Sequence, residues 1–227
     1  MNRDKHRFTG VRALFFDLDG TLIDSRLDLA ASVNATLVYM GHAPLADDVI
    51  FGYVGKGAPA LVERVLGEGA TEEDVRRGLD YFLSYYGAHM LDHTVIYPGV
   101  CEGLERLKEY ELAVLTNKPV RFSKRILEGL GLARYFRVVY GGNSFETKKP
   151  DPQGANALLR DLGVSPLEAM MVGDSDVDVR TARNAGTWVC GVTYGLGAAG
   201  LDSCPPDLLL DSLADLPAHL NGGAAEG

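Results

Sequence analysis

Residues 11–25 read VRALFFDLDGTLIDS: an apolar run that stops abruptly at two acids, Asp17 and Asp19, with only Leu18 between them. A short continuous apolar run bounded by turn residues fits a strand buried on both faces, the kind found in parallel sheets. Asp17 then stands at the carboxyl end of that strand, where open parallel sheets bind their ligands. Alternation places Asp17 and Asp19 on one side of an extended backbone. Neighbouring carboxylates repel, and a bound cation or a shared proton relieves them. A site with oxygen ligands only favours magnesium. Gly20 lets the chain turn and frees backbone N–H groups to face an anion. Taken alone, the pattern D-x-D-G also fits a plain strand end with a capped turn.

The whole chain narrows the choice. Its 227 residues are 46% hydrophobic, enough for one sizeable core or two modest ones. A net charge of −9 argues against nucleic acid and against an anionic membrane surface, since both call for clustered Lys and Arg. The opening MNRDKHRFTG is charged and has no apolar core of a signal peptide. No apolar run reaches the length of a membrane span. The three cysteines, Cys101, Cys190 and Cys204, form neither a zinc pattern nor a disulfide framework. The expectation is a cytoplasmic protein with reduced, packed thiols.

Further β-type runs follow at Leu112–Thr116, Phe136–Tyr140, Ala169–Val172, Trp188–Thr193 and Asp207–Leu210. Most are separated by stretches of helical period, which predicts βαβ units and a parallel sheet covered on both faces. Asp151 is placed as an N-cap with Pro152 at the first helical position, opening a helix to about Leu162, with Gly163 beyond. Gly186 closes the helix that carries Val179 and Ala182. From about Arg26 to Met90 no strand is convincing. Leu27, Ala30, Asn34, Leu37 and Val38 share one helical face; Leu61, Val65 and Leu66 share another; Val75, Leu79, Phe82, Leu83 and Tyr86 a third. The predicted organisation is an α/β Rossmann-like core over 1–25 and 91–220, a helical cap over 26–90, and a disordered tail over 221–227.

Chemistry-bearing residues recur at the strand ends. Thr116 and Asn117 offer a hydroxyl and an amide after the second long strand, although Thr-Asn before Lys-Pro is also an ordinary turn. In Thr147-Lys148-Lys149-Pro150, the proline biases Lys149 toward an extended backbone just before a helix. Asp174 ends another apolar strand, and Asp178 lies four residues on, on the same helical face. Either Asp174 or Ser175 also suits a helix cap. Independent capping does not require this ordered set of acids, hydroxyl and lysine along one sheet edge.

These segments, FFDLDGTLIDS, LAVLTNKP, TKKPDP and MMVGDSDVD, resemble in order the four motifs of the haloacid dehalogenase superfamily of phosphohydrolases. The resemblance runs over roughly residues 11–210. The helical insert resembles the C1 cap of the phosphoglycolate phosphatase and β-phosphoglucomutase branch. The resemblance implies that Asp17 is the nucleophile and Asp19 the general acid and base. It implies that Gly20, Thr116, Asn117 and Lys149 hold the phosphate, with Lys149 rather than Lys148 as the catalytic lysine. It also implies that Asp17, the main-chain carbonyl of Asp19, and Asp174 bind Mg²⁺, with Asp178 supporting the metal. The implied reaction is hydrolysis of a small phosphorylated metabolite, 2-phosphoglycolate first among them, by a monomer or homodimer.

Several alternatives stay open on the residues alone. A sugar or amino-sugar phosphate such as N-acetylmuramate 6-phosphate, or pyrophosphate, is a rival substrate. A sugar-phosphate mutase shares all four motifs. A non-catalytic phosphate- or partner-binding module is the rival from another class. In the insert, Tyr53-Val54-Gly55-Lys56-Gly57 resembles a loop lowered over the active site, with Lys56 placed to meet a substrate carboxylate or phosphate. It is not a nucleotide-binding P-loop, because Gly57 stands where Ser or Thr must follow the lysine. The formal G-x-G-x-x-G at 195–200 is followed by Pro205-Pro206 rather than a helix, so it is no dinucleotide site.

Overall fold

The apolar run before Asp17 forms strand β1 (Ala13–Phe16), and all four of its side chains are fully buried. The cause is a sheet covered on both sides. Leu14 and Phe16 pack into one apolar core, while Ala13 and Phe15 pack into the other. The computed structural model describes residues 8–220, so the predicted tail at 221–227 lies outside the described residues.

Seven further strands follow. They are β2 (Ile23–Asp24), β3 (Val95–Ile96), β4 (Glu111–Leu115), β5 (Val138–Tyr140), β6 (Ala169–Gly173), β7 (Trp188–Val192) and β8 (Leu208–Leu210). The main sheet has the order β5-β4-β1-β6-β7-β8, with every neighbouring pair parallel. Each of the six predicted strands is therefore present, within a residue or two at its ends. The chain leaves β1 toward β4 and β5, then crosses back to build β6, β7 and β8 on the other side. That reversal opens a crevice at the carboxyl ends of the central strands.

Four helices form the insert: α1 (Arg26–Tyr39), α2 (Asp47–Phe51), α3 (Ala58–Leu66) and α4 (Glu72–His89). Five more belong to the sheet: α5 (Val100–Arg106), α6 (Val120–Gly129), α7 (Gln153–Leu162), α8 (Asp176–Ala185) and α9 (Leu216–Leu220). Helix α4 starts with a reciprocal capping box between Thr71 and Asp74 and buries Phe82 and Tyr86, as its periodicity predicts. The expected face of α1 is rotated. Ala30 and Leu37 are buried, but Leu27 and Val38 are 53% and 61% exposed, and Leu29 and Val33 pack inward instead. Polar residues mislead here: Asp28, Ser32 and Thr36 are buried on α1, each with hydrogen bonds.

The boundary at Asp151 is close to the predicted one. Pro152 already has helical dihedrals, and Asp151 Oδ1 accepts from the Gln153 N–H at 2.9 Å. The short α2 and the β2–β3 pair were not expected. These two antiparallel strands stand where the chain enters and leaves the insert. They are two residues each, too short to show a period. Among the described residues, no helix is long and apolar enough to cross a membrane.

Candidate active site

Parallel pairing in register sets the site. Phe16 pairs with Val114 on β4 and with Val172 on β6, so the residues just past these strands emerge side by side. The Asp17 N–H continues the ladder by donating to the Val172 carbonyl at 2.9 Å. Asp17, Thr116 and Asp174 thus share one edge of the crevice.

Lys149 is buried between two acids. Its Nζ lies 2.9 Å from Asp17 Oδ2 and 2.6 Å from Asp178 Oδ1. Burial works against its charge, but Asp17 and Asp178 outweigh burial and raise its pKa above that of a free lysine. Lys148 goes elsewhere: it is exposed, and its Nζ donates to the Lys56 carbonyl at 3.0 Å. The other oxygen of Asp178 accepts from the Ser175 N–H and hydroxyl, which closes a capping box on α8. One acid therefore caps a helix and anchors the buried lysine.

Asp17, Asp174 and Asp178 each offer a carboxylate oxygen within 4.8 Å of the others. Burial pushes the Asp174 carboxyl up to about 8, with the charges of Asp178 and Asp17 adding to the rise. Burial likewise lifts Asp17 to about 6, against the pull of Lys149. Crowded, desolvated carboxylates of this kind fit a hard divalent cation such as Mg²⁺. Asp174 is oriented by the Thr21 hydroxyl at 3.2 Å and by the Gly197 N–H at 2.8 Å. A Cβ on Gly20 or on Gly195 would collide with the Asp174 side chain. Gly20 therefore supplies close approach rather than an anion-facing donor, since its own N–H donates to the Ile23 carbonyl at 2.9 Å. The discarded glycine pattern at 195–200 has a structural role here: it packs around the acid that ends β6.

Asp19 does not face Lys149. It accepts from the Ser25 hydroxyl at 2.5 Å, and both its oxygens lie 2.9 Å from Lys118 Nζ. The two acids of the opening motif thus have separate lysine partners. Lys118 carries no signal in the sequence beyond its place in an ordinary Thr-Asn-Lys-Pro turn. Its side chain is 4% exposed, and its Nζ sits 4.7 Å from the ring centroid of Tyr86 on α4. Thr116 is buried, with its hydroxyl accepting from the Lys118 N–H at 3.2 Å. Asn117 departs from expectation. Its Nδ2 donates to the carbonyls of Gly55 and Lys149, at 3.1 Å each, so the amide ties the insert to the Lys149 loop. Lys56 is exposed; Gly55 and Gly57, not Lys56, line the cavity above the acids. That cavity measures about 50 Å³ and reaches from Asp17 and Asp19 to Leu61, Phe82 and Tyr86.

The haloacid dehalogenase-like hydrolase family model matches residues 14–192, and the chain belongs to that family. It is 38% identical over 217 residues to the phosphoglycolate phosphatase of Vibrio parahaemolyticus, covering 91% of this chain and 94% of that one. It is 41% identical over 191 residues to the phosphoglycolate phosphatase of Psychrobacter arcticus, covering 80% and 83%. The crystal structure of a predicted phosphoglycolate phosphatase from Haemophilus somnus superposes with a TM-score of 0.86 at 34% identity, covering 92% and 97%.

Proposed function

We propose that this hydrolase is a phosphatase for a small phosphate monoester, 2-phosphoglycolate, working with Mg²⁺ through a phosphorylated Asp17. The observation that carries this reading is the buried chain of charges Asp178–Lys149–Asp17 beside Asp174 at one sheet edge. The relatives named phosphoglycolate phosphatase support the choice of substrate.

In this reading an Asp17 oxygen attacks phosphorus while the bond to the leaving alcohol breaks. Asp19 gives its proton to that alcohol oxygen, then takes one from the water that hydrolyses the aspartyl-phosphate. Lys149 and the Thr116 hydroxyl hold the phosphoryl oxygens. Asp17, the Asp19 main-chain carbonyl and Asp174 would hold Mg²⁺, with Asp178 behind them. When bound, the metal offsets the repulsion between a phosphate dianion and a carboxylate nucleophile. The insert closes over the site and excludes water. Away from Asp17, Asp19, Thr116, Asn117, Lys118 and Tyr86 the cavity wall is apolar, which favours a short leaving group over a sugar with many hydroxyls to satisfy.

The test is phosphate release by wild type and Asp17→Asn, with and without Mg²⁺, across 2-phosphoglycolate, sugar phosphates, N-acetylmuramate 6-phosphate and pyrophosphate. Wild type is expected to prefer 2-phosphoglycolate and to need Mg²⁺. Asp17→Asn is expected to lose at least about a thousandfold in kcat. Near-native turnover by the variant would overturn the nucleophile assignment.

A further inference from the structure

Two buried lysines serve this site, and the proposed reaction uses only one of them. Lys149 sits on the far side of Asp17, between that acid and Asp178. Lys118 sits on the other side, against Asp19 and under the ring of Tyr86. Asp17 pairs with one lysine and Asp19 with the other, and Lys118 rather than Lys149 lines the cavity that reaches the insert. With phosphorus at Asp17 and the leaving oxygen at Asp19, the rest of the leaving group lies beside Lys118.

The chemistry of the substrate then matters. In 2-phosphoglycolate the carboxylate carbon is two bonds from the ester oxygen. A cation that receives it must stand within a few ångströms of the acid that protonates that oxygen. Lys118 meets this condition by touching both oxygens of Asp19 at 2.9 Å. Lys56 does not, because it is exposed and outside the cavity wall. Leu29, Leu61, Phe82, Leu83 and Phe122 in the same lining cannot pair with an anion; Thr116, Asn117 and Tyr86 add neutral polar groups, so Lys118 is the cation of this lining. In such surroundings one desolvated ammonium discriminates strongly between a carboxylate and an uncharged group.

Resting on the phosphatase reading above, we infer that Lys118 is the residue that selects the substrate, by binding an anionic group on the leaving alcohol. Before substrate arrives, Asp19 and the Tyr86 ring hold the ammonium in place. When the carboxylate enters, it joins Asp19 as a second anionic partner of the ammonium. An ester of the same length whose alcohol is neutral leaves Lys118 without that added partner.

The experiment compares kcat/KM for 2-phosphoglycolate and for 2-hydroxyethyl phosphate, its isostere with a hydroxymethyl group in place of the carboxylate, in wild type, Lys118→Met and Lys118→Arg. Removing the lysine also strips Asp19 of its partner, so turnover of both esters falls. The readout is therefore the ratio of the two. Wild type is expected to favour 2-phosphoglycolate, and Lys118→Met to lose that preference by about a hundredfold. Lys118→Arg, which keeps the charge, is expected to retain part of it. Competitive inhibition by glycolate, measured against 2-hydroxyethyl phosphate, should weaken in Lys118→Met and not in Lys118→Arg. If both esters lose equally, or if wild type shows no preference, Lys118 does not read the leaving group and the inference falls. If wild type releases phosphate from no ester at all, the phosphatase reading itself has failed.

Discussion

The two acids of DLDG are two residues apart, yet each answers to its own lysine. Lys149 holds Asp17 and Lys118 holds Asp19. Breaking a buried pair leaves an unpaired charge, which is strongly destabilising. Lys149→Ala is accordingly expected to cost about 3–5 kcal/mol of stability and to abolish turnover. Lys148→Ala should stay within about 0.5 kcal/mol of wild type. Urea unfolding of both variants, with phosphate release, distinguishes them; greater damage from Lys148→Ala would show that the wrong lysine had been placed in the site. Asp174 gives a test of the cation. Its carboxyl is pushed up to about 8 by burial and by Asp178 and Asp17. Below that pH a proton occupies it and must leave before a metal binds, so acid weakens binding. A fixed Mg²⁺ concentration should raise Tm more at about pH 8.5 than at about pH 6.5, and chelation should remove the gain. An equal gain at both values would speak against Asp174 as a ligand. At this scale the gathering of Asp17, Asp19, Lys149, Asp174 and Asp178 at one sheet edge was legible, because acids and a proline-locked lysine at strand ends are unusual. Lys118 was not, since nothing in TNKP reveals that its side chain turns inward. Lys56 is the converse case: a loop flanked by glycines does not tell which way its lysine points, and this one is exposed outside the cavity lining.

Elements repeat the lesson. The six sheet strands were readable because burial on both faces makes each one a continuous apolar run. The face of α1 was misjudged because buried Asp28, Ser32 and Thr36 interrupt its hydrophobic stripe. The loop after β7 was dismissed with its glycine pattern, yet those glycines let it pack on Asp174. Gly195→Ala brings a Cβ into the Asp174 side chain and the Gly20 carbonyl. Both neighbours are held by other contacts, so a cost of about 1–3 kcal/mol is expected, together with weaker Mg²⁺ binding. Titration of Tm with Mg²⁺ separates the two effects. An unchanged Mg²⁺ dependence would mean that the loop supports the fold and not the metal site.

For the molecule as a whole, the key junction is where the insert joins the sheet. β2 and β3 pair there, and buried Asp28 accepts from the His93 and Thr94 N–H groups and from the Thr94 hydroxyl. Asp28→Ala strands all three donors and should cost about 2–4 kcal/mol by urea unfolding. A change below about 0.5 kcal/mol would mean that water replaces the carboxylate there. Unlike the strands, this junction lies in a two-residue pairing and a lone acid, neither of which carries a period for a reader to detect. Its consequence reaches beyond stability. Because the segment leaves and rejoins the sheet through adjacent strands, about 5 Å apart, its two ends already meet. Such a segment is a cassette: lineages can lengthen, trim or exchange it while the strand order beneath stays intact. A change in that lid alters the walls around Lys118 and leaves the lysine itself, carried by the sheet below, where it stands.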